Sequence, residues 1–142
     1  MNTYYIFKIN KYFSYFYKRF PYKLYKLIEE LYYAKDYDIK LSYKYYKEIA
    51  SDFNKYSLNE YIITKNKDKL DYKYIDNIHK LNGSKLVVNR TCLILKTNNL
   101  DNDFLLDIYN HDKNVFICDF KNIEYFFLDK LIKDRQKNNI LV

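Results

Sequence analysis

The chain has 142 residues, a length that argues for one domain, and its 25 Lys+Arg against 18 Asp+Glu give a formal charge of +7. Hydrophobic residues make up 49% of it, enough for a core and too much for an intrinsically disordered chain. Gly83 is the only glycine, which excludes P-loops and dinucleotide-binding turns, and with no internal repeat the collagen, propeller and repeat-rich β classes fall as well.

Residues 4–9 form an aromatic and β-branched run ended by Asn10, the pattern of a first strand. From Lys11 the period changes: Phe13, Phe16, Tyr17 and Phe20 fall at i, i+3, i+4 and i+7, one face of a helix. Pro21 suits the first turn of a second helix over 21–33, where Leu24, Leu27, Ile28 and Leu31 repeat the spacing. Asp38 and Ile39 lead into a third over about 41–53, with Tyr45, Ile49 and Phe53 in register. Residues 54–70 stay open, since Tyr61-Ile62-Ile63-Thr64 fits a strand and Asn66-Lys67-Asp68-Lys69 a loop.

Leu70, Tyr74, Ile75, Ile78 and Leu81 are again helically spaced, with Asn82-Gly83 as the helix's closing signal. Leu86-Val87-Val88 and Cys92-Leu93-Ile94-Leu95 flank Asn89-Arg90, which predicts a hairpin with an irregular turn. A helix follows over 101–109, its acidic first turn suiting the helix dipole and its apolar side formed by Phe104, Leu105 and Ile108. Residues 115–120 read as a buried strand, paired with 123–128 across Lys121-Asn122. Beyond Lys130 the composition is polar, so the domain spans 1–130 and 131–142 is expected to be a fraying tail. One strand, several helices, then mostly strands predicts an α+β fold: a single small domain with a mostly antiparallel sheet and several packed helices.

Lys8 and Lys11 interrupt any signal-peptide core, and no stretch approaches the roughly 18 apolar residues that span a bilayer. Cys92 and Cys118 form no C-x-x-C pair. These features predict a cytoplasmic, reduced protein with no membrane partner.

The charge favours nucleic acid only weakly, because all the cations but Arg19, Arg90 and Arg135 are lysines, whereas bidentate phosphate and guanine contacts favour arginine. The abundant Lys, Asn, Ile, Tyr and Phe share A/T-rich codons, so base composition accounts for most of the bias. For catalysis the sequence offers little. His79 falls near a predicted helix end and His111 in a polar turn, and both cysteines lie in apolar strand patterns, where Cys acts as a small hydrophobe. No ligand spacing points to a metal. Asp101, Asp103 and Asp107 cluster as a helix start does, and Asp119 inside an apolar strand calls for a hydrogen-bond partner.

The informative segment is 12–20, with Tyr12, Phe13, Tyr15, Phe16, Tyr17 and Phe20. Aromatic residues over so wide an arc mean either a central core helix or a second partner, and Tyr and Phe are common interface anchors.

Taken in order, Tyr4-Tyr5-Ile6-Phe7-Lys8-Ile9, then Phe13, Ser14 and Tyr17, then Leu24-Tyr25-Lys26-Leu27-Ile28 resemble the opening of the sporulation inhibitor of replication (SirA) family. Asp71-Tyr72-Lys73-Tyr74-Ile75-Asp76 and the close, Phe116-Ile117-Cys118-Asp119-Phe120 with Tyr125 and Leu128, resemble later parts of the same family. Tyr125-Phe126-Phe127-Leu128 stands where that family has a Tyr-Gly-Trp-Leu type pattern. The resemblance implies a small non-enzymatic inhibitor of DNA replication initiation, linked to sporulation. Such a protein binds domain I of the initiator DnaA and blocks assembly of the initiation complex.

Phe13 and Tyr17 match the family's aromatic pair, and Tyr45 and Glu48 are the nearest matches to its second contact region. Lys18 and Arg19 would form the rim of that interface. The implied protein needs no cofactor, metal or small-molecule substrate and makes no direct contact with nucleic acid. The alternative is a Lys/Tyr-rich single-stranded nucleic-acid-binding protein, with tyrosines stacking on bases.

Overall fold

A computed structural model describes residues 1–34 and 39–141; the Asp38 lead-in to the third helix lies outside them. In chain order the elements are β1 (Asn2–Ile9), α1 (Lys11–Tyr17), α2 (Pro21–Tyr32), α3 (Ile39–Ile49), β2 (Ala50–Ser51), α4 (Lys55–Asn66), β3 (Lys73–Ile75), β4 (Ile78–Leu81), β5 (Ser84–Val88), β6 (Leu93–Thr97), α5 (Asp103–His111), β7 (Val115–Asp119), β8 (Glu124–Phe127) and α6 (Leu128–Leu141). The strands form one antiparallel sheet in the order β3-β4-β5-β6-β1-β7-β8, with β2 paired to the end of β1. This is the small α+β domain that the sequence predicts.

The pleat of β1 explains the layers. Tyr4 and Ile6 point to one face of the sheet and Phe7 and Ile9 are buried on the other, because successive side chains alternate. On the first face they join Leu86, Val88, Leu93 and Leu95 under α4, α5 and α6. On the second, Phe7 and Ile9 meet Phe116 and Cys118 under Leu24, Tyr25 and Ile28 of α2. All five residues of β7 are buried, as a strand covered on both faces requires. The β3–β6 wing differs: its second face, with Lys73, Ile75, Ile78, Lys80, Val87 and Lys96, stays exposed or half-exposed.

Three predicted elements are corrected, and one segment left open is resolved. The helix expected over 70–81 is the β3–β4 hairpin, and Asn82-Gly83 turns β4 into β5 instead of ending a helix. Both turn residues have positive φ (51° and 81°), the geometry of a tight hairpin turn. The segment open to a strand at Tyr61–Thr64 lies inside α4, which Asn54 caps by accepting the Ser57 N–H and which buries Leu58, Ile62 and Asn66 on one side. The third helix stops at Ile49, and Ala50–Ser51 becomes β2. The expected fraying tail continues α6, because Leu128 and Ile132, four residues apart, seat its first turns on the core.

A Cβ built on Gly83 meets no heavy atom within 4 Å, so the site has room for a side chain but a left-handed backbone. Gly83→Ala is therefore expected to lower unfolding stability by about 1 kcal/mol through strain alone, read from urea midpoints with the fold unchanged.

Candidate functional site

Asn10 fixes where α1 starts. Its amide donates to the Glu48 and Lys47 carbonyls at 2.7 and 3.4 Å, its backbone N–H donates to Ile49 O at 2.8 Å, and its side-chain oxygen accepts from the Ser51 hydroxyl. One residue thus ties the start of α1 to the end of α3. The two predicted contact regions, Phe13/Tyr17 and Tyr45/Glu48, flank this junction from separate helices. Tyr45 and Glu48 are exposed.

The inward residue of α1 is the small Ser14, 1% exposed, with its hydroxyl donating to Asn114 Oδ1 at 3.4 Å. Phe13 and Tyr17 lie on either side of it, half-buried against the second core. Phe16 and Phe20, expected on the same inner face, point outward instead: the helix ends at Tyr17 and its inner line runs through residue 14. Tyr12, Tyr15 and Phe16 are 77, 86 and 57% exposed, too much for core packing to account for them.

These rings support one another. Phe13 and Tyr17 stack with centroids 6.3 Å apart and planes 10° apart. Tyr12 packs edge-on against Phe13 at 5.8 Å, and Phe16 edge-on against Tyr17 at 5.0 Å. The result is a ridge of four rings in the order Tyr12–Phe13–Tyr17–Phe16, with preferred aromatic geometry at each contact. Tyr12 and Phe16 belong to the surface as much as the expected pair does. Their signal in the sequence was the breadth of the aromatic arc.

Lys18, expected at the rim of the interface with Arg19, has partners within the fold. It pairs with Asp129 at the start of α6 and stands 5.1 Å from the centroid of Phe127, which pins the end of α1 to α6. Arg19 is exposed in the link between α1 and α2.

The remaining polar residues are tied into the fold. Asp101 meets Arg135 at 3.5 Å, Asp103 meets Lys69 at 3.0 Å, and Asp107 accepts from the buried Asn66 amide at 2.8 Å. Burial pushes the Asp107 carboxyl up, partly offset by that amide. No cluster of three potential metal ligands occurs among the described residues. Asp119 has the partners its burial demands: it accepts the N–H groups of Lys121 and Asn122 at 3.1 and 3.2 Å, and the Asn122 amide at 2.7 Å. Burial pushes the Cys92 thiol up to about 12 and raises Cys118 as well, so neither is held as a nucleophilic thiolate. His79 lies in β4, fully buried, not at a helix end.

One arrangement was not visible in the sequence. Ser57 Oγ is 2.9 Å from His111 Nε2, and His111 Nδ1 is 2.7 Å from Asp112, whose other oxygen is 3.2 Å from Lys8 Nζ. The order resembles a nucleophile relay, in which backbone N–H groups beside the nucleophile commonly help to hold the oxyanion. Here the Ser57 N–H donates to Asn54 Oδ1 at 3.1 Å and the Leu58 N–H to Asn54 O at 2.9 Å, so both neighbouring donors are spent. The three side chains join the start of α4 to the end of α5.

No helix among the described residues is long and apolar enough to cross a membrane. Fold and surface together define a small α+β domain that displays a short, ring-packed aromatic helix beside a second exposed helix end. Compared with known families and with curated proteins, the chain matches no family model and no curated sequence.

Proposed function

We propose that this protein is a cytoplasmic, non-enzymatic inhibitor of DNA replication initiation, in the manner of the SirA family, and that its partner is domain I of the initiator DnaA. The observation that carries the reading is the four-ring ridge on α1. The ridge is exposed at Tyr12 and Phe16, half-exposed at Phe13 and Tyr17 and braced ring against ring, and Asn10 ties the start of its helix to Glu48 at the end of α3. A surface held this way loses little side-chain entropy on binding, which suits it to fill an apolar groove on a partner. Covering that groove would keep the initiator from assembling. Arg19 at the edge would speed encounter more than it tightens the complex.

The test is binding of purified initiator domain I, followed by calorimetry. Phe13→Ala and Tyr17→Ala are each expected to weaken binding by about 2 kcal/mol or more, roughly 30-fold, while circular dichroism and the urea midpoint show a folded domain. Unfolding of both variants would make these residues core, and unchanged affinity with intact folding would remove the ridge from the interface.

A further inference from the structure

The strand register places four lysines in a line. Lys73 is directly opposite Lys80, Lys80 opposite Lys85, and Lys85 opposite Lys96, so the row crosses β3, β4, β5 and β6. Directly paired residues point to the same side of a sheet, and with strands about 4.8 Å apart the row spans about 14 Å. It lies on the wing's open face, with Lys73, Lys80 and Lys96 exposed and Lys85 half-exposed.

Like charges directly opposed across strands destabilise a sheet, and this sheet carries three such pairs in succession. Some lysines elsewhere meet carboxylates, among them Lys8 with Asp112, Lys26 with Glu29 and Lys69 with Asp103. None of the four in the row has a carboxylate within pairing distance among the described residues. Asp71 lies on the rim of the hollow beside Lys80, Lys85 and Lys96, where it is outnumbered. A lysine-rich composition accounts for many lysines, but not for their alignment on the open face of the β3–β6 wing, where the sheet's second face stays exposed or half-exposed among the described residues.

We infer that this row is a docking strip for the phosphate backbone of double-stranded nucleic acid, held without regard to sequence. Lysines act on phosphates as point charges, and charge neutralisation with counterion release supplies this kind of binding. A protein partner fits less well, because interface cores are depleted in lysine and enriched in aromatic residues and arginine. Ile75, Ile78, Val87 and Ile94 line the next row on this face. The nearest rings are already engaged, Tyr5 opposite Ile94 against Tyr32 and Phe120 and Tyr74 against Tyr72 and His79, which leaves less for an unpaired base to stack on and favours a duplex over a single strand. The strip lies apart from the α1 ridge and does not depend on the partner proposed there. It departs from the expectation, carried by the family resemblance, that nucleic acid makes no direct contact.

The test is fluorescence anisotropy with the full chain and a labelled 20-base-pair duplex of arbitrary sequence. With four phosphates neutralised, log K should fall against log salt with a slope of about −3.6, roughly a 100-fold loss between 50 and 200 mM. The double variant Lys80→Glu/Lys85→Glu should bind at least about 10-fold more weakly with about half that slope. Lys121→Glu/Lys130→Glu, which changes net charge equally but lies outside the row, should bind within about 3-fold of the parent, as should Phe13→Ala/Tyr17→Ala.

A second readout is stability. Lys85→Glu gives Lys80 and Lys96 an opposite charge on either side, so its urea midpoint should rise while duplex binding falls. The inference is overturned by any of four results: no binding at 50 mM salt, equal losses in the two lysine double variants, tighter binding of single-stranded dT20 than of the duplex, or a lower urea midpoint for Lys85→Glu. Row-dependent binding to phosphatidylserine vesicles with no binding to the duplex would also overturn it.

Discussion

Acidification from pH 7 to pH 4 is expected to remove about 3 kcal/mol of stability through a single side chain, His79. This imidazole is fully buried in β4, between the ring of Tyr72 and the edge of Phe104. Asn59 Oδ1, at 2.7 Å, can only accept, so Nε2 carries the proton, and Nδ1 accepts from the Tyr72 hydroxyl at 2.7 Å. The neutral ring is fully satisfied; a charged one would be buried without a counter-ion. Burial accordingly pulls its pKa down from 6.5 to about 4.

The sign follows from proton uptake. Below pH 6.5 the unfolded chain protonates this residue while the folded chain does not, so stability falls with pH until about pH 4, where both forms are charged. The contribution is complete above pH 6.5 and absent below pH 4. Urea titrations of the parent and of His79→Gln across that window measure it: the variant should be less stable at pH 7 and have a much shallower pH slope. Parallel slopes for the two proteins would show that His79 does not titrate as described.

Phe116→Ala is expected to cost about 3–5 kcal/mol. Phe116 is fully buried in β7, opposite Phe7 on one side and Phe127 on the other, with the Phe127 ring centroid 4.8 Å away. Its removal opens a cavity in a layer closed by α2, where backbone on both edges limits collapse. A domain of this size has about 5–15 kcal/mol in all, so the variant should be unfolded or nearly so at 37 °C by circular dichroism. Phe16→Ala, at a ring 57% exposed, should stay close to the parent. A loss under about 2 kcal/mol for Phe116→Ala would mean that this half of the core is packed less tightly than described.

The contrast between these two phenylalanines shows what the sequence could and could not reveal. Where one pattern dominated, the elements were legible: the aromatic run of β1, the leucine spacing of α2, the apolar run of β7 and its pairing with β8. Where two signals overlapped, the wrong one prevailed. Tyr74, Ile75, Ile78 and Leu81 satisfy helical spacing, yet Asn82-Gly83 serves a tight hairpin as well as a helix end, and the strand beginning at Ser84 decides for the hairpin. In α4 the β-branched Ile62, Ile63 and Thr64 obscured a helix that Asn54 caps and the core selects.

For the surface, the sequence marked the segment and the resemblance marked Phe13 and Tyr17. Which rings turn outward depended on Ser14 being the residue small enough to face the protein, a packing fact that periodicity alone does not contain. The lysine row was equally hidden, because four positions spread over residues 73–96 become neighbours only through strand register.

The central position of β1 also governs the order in which the domain can be made. β1 is paired along one edge with Leu93–Thr97 and along the other with residues 115–118, both made after it. Neither neighbour exists until most of the chain has been synthesised, and such distant pairings close slowly. Through that interval β1 has only the two-residue β2 to meet, so most of its aromatic run depends on the neighbouring helices, or on a chaperone, to stay out of wrong pairings. The sheet closes on both edges of β1 only when β6 and β7 arrive.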